Sequence, residues 1–209
     1  MNYTKSLVGA LAAIAAGACM FGQTTDATVA SAGLLGQRYA SLGLFAEDFR
    51  NSSIDTGLGA QLGVNLPVTG NVDLGFSYEY LNVDDRLADI DGNSLGATAR
   101  VHTRWSGVRP FADATLGYTW FEADSAIGGF DYDEYFWDLG VGVEIPVASS
   151  TALVARVGYG ELFEDGFDGS WSFTVGANHW FTPKLAGAVQ VSFAEDDAVT
   201  YGVGLALRF

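Results

Sequence analysis

The chain has two histidines and one cysteine, and each stands apart from the partners that catalysis would require. His102 lies in Arg100-Val101-His102-Thr103-Arg104, a run whose cations fall at every second position. That spacing sets Arg100, His102 and Arg104 on one face of an extended strand. They can pair with carboxylates there, but neither histidine has an obvious Ser or Asp partner in sequence for a nucleophile–base relay. His179 falls on the apolar phase of its own segment. The sequence contains no G-x-S-x-G, no H-E-x-x-H and no phosphate-binding glycine loop. Asp89-Ile90-Asp91-Gly92-Asn93 resembles the start of a calcium loop, but the closing bidentate Glu is absent, so it reads as a turn. No catalytic residue, no cofactor and no dedicated metal site is expected.

The remaining charges have a pattern only once the elements that carry them are drawn. Hydrophobic residues make up 49% of the 209 and charged residues only 17%. Beyond the first twenty or so positions, however, no apolar run approaches the ~20 residues of a membrane helix. Apolarity is therefore spread by alternation, as in strands with one oily and one wet face. Ten such segments are predicted, near 36–47, 57–66, 71–82, 94–105, 109–121, 135–145, 152–162, 171–181, 185–194 and 200–209. Their lengths suit tilted membrane strands of ~9–11 residues. The third sets Val72, Leu74, Phe76, Tyr78 and Tyr80 against Asp73, Gly75, Ser77 and Glu79. The sixth sets Trp137, Leu139, Val141, Val143 and Ile145 against Asp138, Gly140, Gly142 and Glu144. The expected fold is all-β: an antiparallel transmembrane β-barrel, ten strands favoured over eight.

In that phase, Asp73, Glu79, Arg100, His102, Arg104, Asp113, Asp138, Glu144, Arg156 and Arg208 point into the lumen. A two-residue turn at Ser106-Gly107 would set Arg100 directly opposite Asp113. Charges of both signs in a narrow tube must pair, because an unpaired buried ion is very costly. The inward glycines either widen the lumen or relieve crowding in it.

The connections are of two kinds. Short ones carry Pro67, Pro110, Pro146 and Pro183, while the longer ones carry the acid: Asp84, Asp85, Asp89, Asp91; Asp124, Asp131, Asp133, Glu134; Glu164, Asp165, Asp168; Glu195, Asp196, Asp197. Short periplasmic turns and longer external loops would produce this sorting. Outward aromatics gather at both ends, with Tyr80, Trp120, Tyr135, Trp137, Tyr159, Trp171, Phe193 and Tyr201 at one and Trp105, Phe181 and Phe209 at the other. The net charge of −15 speaks against nucleic acid as a partner, and none is expected. Acidic loops facing anionic lipopolysaccharide imply loose Mg²⁺ or Ca²⁺ bridges rather than a dedicated site.

The amino terminus reads as an export signal, with Lys5 followed by an apolar stretch from Ser6 to Ala18. Residues 1–27 are assigned to the signal peptide and cleavage region, and 28–209 to the barrel. Cleavage candidates are Ala16-Gly17-Ala18, Thr25-Asp26-Ala27 and Ala30-Ser31-Ala32. Cys19 follows the first of these and would be a lipidation site if it became the new terminus, although Ala16 stands where Leu is usual.

From Gly36 to Phe209 the chain resembles the small outer-membrane β-barrel superfamily, near opacity-type proteins and OmpA-like transmembrane domains. The final strand ending in Leu207-Arg208-Phe209 is the sharpest local sign. The resemblance implies residence in the outer membrane as a multi-pass barrel, with outer-membrane lipid and lipopolysaccharide as surroundings. It also implies periplasmic chaperones and the barrel-assembly machinery as partners in biogenesis, with Phe209 as the assembly signal. The commonest small members have eight strands, so ten is a departure. The functional expectation is a non-enzymatic structural or envelope barrel that presents surface loops. The alternative is a narrow cation-preferring channel, and a lipid-modifying enzyme stands third because the partners such barrels need cannot be placed.

Overall fold

The computed structural model describes residues 32–49, 56–84, 88–125, 129–163, 169–195 and 198–209. Ten strands close into one barrel: β1 (Tyr39–Phe49), β2 (Gly57–Thr69), β3 (Val72–Asp84), β4 (Ala88–His102), β5 (Arg109–Ser125), β6 (Phe130–Ala148), β7 (Thr151–Leu162), β8 (Ser170–Trp180), β9 (Leu185–Ala194) and β10 (Ala198–Arg208). Each is antiparallel to its sequence neighbours and β1 pairs with β10, so no edge is left unpaired. The eight-strand alternative is thereby excluded.

Period-two alternation forces this closure. Leu42, Leu62, Phe76, Leu116, Val141 and Leu205 all lie on the outer wall with more than half of their surface exposed. A wall that oily is stable only against lipid. Between β4 and β5, Ser106 and Gly107 take left-handed φ values of 48° and 86°, flanked by reciprocal hydrogen bonds between Trp105 and Val108. Two left-handed central residues make the turn whose twist matches a hairpin, and the resulting register places Arg100 opposite Asp113.

Three expectations need correction. The strands on one side run further than predicted: β4 starts at Ala88 rather than 94, β5 reaches Ser125, and β6 extends over 19 residues. Consequently Asp89–Asn93 is strand rather than turn, with Asp91 opposite Asn82. At the short-turn end only Pro183 lies in a connection. Pro110 is the second residue of β5, and Pro67 and Pro146 sit inside β2 and β6 at register shifts, where a missing N–H is tolerated. The tips of the long connections, with Asp85, Glu164, Asp165, Asp168, Asp196 and Asp197, lie outside the described residues.

The extra strand length has a physical cause, which is that polarity inverts along the strand. On β3, Leu74, Phe76, Tyr78 and Tyr80 face out while Asp73 and Glu79 are buried inside; two residues later Leu81 and Val83 are the buried pair. On β5, Phe121 and Ala123 turn inward and Glu122 outward. Phe49, Leu81, Val83, Ile90, Phe121, Ala123, Phe136, Leu162 and Ala198 thus form one buried apolar cluster at the long-loop end. In that zone Asp91, Glu122 and Asp131 occupy one outward cross-strand row. The strands leave the membrane there and continue as a water-facing barrel with an ordinary hydrophobic core. Aromatic rings mark the boundary, with Tyr118 against Tyr135 at 5.0 Å and Tyr159 against Trp171 at 5.2 Å between centroids.

Candidate functional site

Below the apolar cap the lumen is a ladder of charge. At its centre Asp113 is held by two guanidinium groups. Arg100 donates through Nε and Nη2 to Oδ2 at 3.1 and 3.0 Å, and Arg156 through Nε and Nη2 to Oδ1 at 3.1 and 2.7 Å. Arg156 also donates to Asp138. Two-pronged pairing of this kind fixes both position and plane. The space comes from glycine: a Cβ at Gly140 or Gly158 would run into the Arg156 guanidinium. Likewise, Gly117 and Gly142 leave room for the rings of Phe136 and Phe111. Of the two roles open to the inward glycines, relief of crowding is the one these positions play.

Toward the short-turn end, Arg109 meets Glu144 at 2.6 Å, and His102 Nε2 lies 3.2 Å from Asp73 Oδ2. Arg208, half-buried, stacks its guanidinium 4.4 Å over the Trp180 ring. Higher up, Gln61 donates to Glu79 at 3.2 Å, and hydroxyl pairs Thr98–Thr115 and Thr174–Ser192 each close at 2.8 Å.

The mouth itself is filled by the chain preceding β1. Ala32, Leu34 and Leu35 are buried, and Leu34 packs with Tyr39, Trp180, Ala186 and Ala206. Gly36 has a φ of 73° and Gln37 N–H donates to Leu34 C=O at 3.3 Å, a turn that needs glycine at its third position.

Asp73, Glu79, Arg100, His102, Asp113, Asp138, Glu144 and Arg156 are all buried in the lumen. Arg104 is not among them. β4 ends at His102, so Arg104 lies past the last enclosed rung and is exposed in the hairpin connection. Phe209 is 64% exposed at the short-turn rim, just beyond the end of β10. His179 is exposed as well, with Nδ1 2.9 Å from the Thr151 hydroxyl. Sequence reading missed Arg109, Glu47 and Trp180, all buried. Carrying the Asp113 phase back through Phe111 would have found Arg109, and the Asn178 phase would have found Trp180. The plugging segment gave no periodic signal at all. Among the described residues, no group of three His, Cys, Asp or Glu side chains could hold a metal. The lumen's chemistry is charge pairing.

Comparison with known proteins agrees with this architecture. The translocator domain of the autotransporter NalP from Neisseria meningitidis is similar in fold, with a TM-score of 0.52 at 12% identity over 99% of this chain and 96% of that one. The amino-terminal β-barrel domain of Pseudomonas aeruginosa OprF aligns with a TM-score of 0.46 at 15% identity, over 83% of this chain and 98% of that one. Ail, the attachment invasion locus protein of Yersinia pestis, gives 0.44 at 13% identity, over 83% and 98%. The sequence matches no curated protein. The model of the outer membrane protein β-barrel domain matches residues 10–209, and the chain belongs to that family as an integral protein of the outer membrane.

Proposed function

We propose that the protein is a closed, non-enzymatic barrel that reinforces the outer membrane and holds acidic loops above it. One observation carries this reading: the lumen is occupied at three levels, by the apolar cluster at the outer end, the Arg100–Asp113–Arg156–Asp138 cluster in the middle and residues 32–37 at the short-turn end. An ion crossing it would have to enter a dry apolar layer and then separate paired charges. On this reading lipid and lipopolysaccharide surround the wall, with divalent cations bridging the outward carboxylates to lipid phosphates. The barrel-assembly machinery and periplasmic chaperones deliver the chain, and Phe209 is the signal that the machinery reads.

Single-channel recording of the purified protein in a planar bilayer tests the closed state. Wild-type protein should give no steady conductance. Steady cation-selective steps would replace this reading with that of a narrow channel. Removal of Phe209 should leave precursor in the periplasm, and normal surface levels of the truncated protein would remove its role as signal.

A further inference from the structure

Residues 33–37 are held in an unusual way: each of the five offers at least one main-chain group to a buried side chain of the wall. Leu34 N–H donates to Glu144 Oε2 at 2.9 Å and Gly36 N–H to Asp73 Oδ2 at 3.3 Å. The carbonyl of Gly33 accepts from Trp180 Nε1 at 3.2 Å, that of Leu35 from Arg109 Nη1 at 3.3 Å, and that of Gln37 from Asn65 Nδ2 at 3.4 Å. These five wall residues come from β2, β3, β5, β6 and β8, and none is more than 9% exposed. Carboxylates stand where N–H groups arrive, and N–H donors stand where carbonyls arrive.

The wall does not need the segment to keep this arrangement. Arg109 and Glu144 are direct cross-strand partners, and Asp73 has His102 beside it. An emptied mouth would therefore stay shaped and would hydrate. The fit also sets composition. A side chain at Gly33 would run into the Glu144 carboxylate, the left-handed turn demands glycine at 36, and Leu34 enters an apolar pocket. We propose that the short-turn mouth of the barrel is a peptide-binding site. Gly33–Gln37 is its resident ligand in cis, and a free peptide with the same Gly-Leu-Leu-Gly turn can replace it. A short tether presents the resident at an effective concentration of ~mM, so exchange in the wild type is suppressed until a competitor approaches that level. The proposal does not depend on whether the barrel conducts.

Two measurements on the folded full chain test it, with heat-modifiable migration confirming the barrel in every variant. In a Cys19→Ser background, Leu35→Cys should be protected from a water-soluble maleimide. Adding Gly33→Asp, which sets a second carboxylate against Glu144, should raise the labelling rate at least tenfold. Equal protection in both would overturn the seat assigned to Gly33. Next, a fluorescein-labelled Ala-Gly-Leu-Leu-Gly-Gln amide is titrated with protein and followed by anisotropy. The Gly33→Asp protein should bind it saturably, at least tenfold more tightly than wild type. Methylation of the first leucine nitrogen, which removes the donor to Glu144, should weaken that binding at least tenfold. Failure of the unseated protein to bind, or equal binding of the methylated peptide, would overturn the proposal.

Discussion

The membrane-spanning stretch of the lumen and the cap above it solve the same packing problem with opposite materials. From Asp73 up to Glu79 the inward side chains of β3 are polar and the outward ones are oily, whereas Leu81 and Val83, on the same face of the same strand, join an apolar core. Nothing in the backbone changes between them, since β3 pairs with β4 in unbroken register from Val72 to Asp84. What changes is the solvent outside. Against lipid the wall must be apolar without, and the interior takes the polar residues. Against water the ordinary rule returns. The tube is thus two barrels in series sharing one set of hydrogen bonds.

Substitutions that move one half's chemistry into the other test this most sharply. Leu81→Asp places a carboxylate in the apolar cap with no cation designed for it and should cost at least ~4–5 kcal/mol, enough to abolish the heat-modifiable folded band. Folded protein at wild-type yield would mean that the cap is wet. Asp113→Ala removes the carboxylate shared by Arg100 and Arg156 and should cost ~3–5 kcal/mol in urea unfolding from vesicles. Arg100→Ala made together with it should recover part of that loss. If the pair of changes is simply additive, the central charges are solvated rather than coupled. On the outside, Leu116→Arg sits in the lipid belt and should cost ~2–4 kcal/mol, whereas Glu122→Arg, above the ring of aromatics on the same strand and face, should cost ~0–1 kcal/mol. Similar values for the two would erase the membrane boundary drawn here. Inside the lumen, Gly140→Ala crowds the Arg156 guanidinium and should cost ~1–3 kcal/mol; a neutral result would show that Arg156 has room to move.

Much of this was legible because strand alternation is a strict code. The phase that pairs Leu74 with Asp73 fixes which side chains enter the tube, and Ser106-Gly107 fixes the register that brings Arg100 to Asp113. The failures come where the code loses its meaning. Above Tyr80 the alternation continues but the faces exchange polarity, so acidic residues such as Asp91 looked like loop when they were the wet side of a strand. Arg104 kept the right phase but lay beyond the wall. The seated segment is held mostly through its main chain, which every sequence shares, so only Gly33, Leu34 and Gly36 could have hinted at it.

The ladders between staves are not equally long, and that decides where the wall would part. The junction between the first and last strands runs through 11 facing residue pairs, from Tyr39 with Arg208 to Phe49 with Ala198. β8 and β9 share only nine, and β9, at 10 residues, is the shortest strand of the ten. Amide protons along β9 should therefore exchange with solvent ahead of those along the chain-closing junction. The seam between the chain's first and last strands is not the thinnest; lateral fraying belongs to the ninth stave.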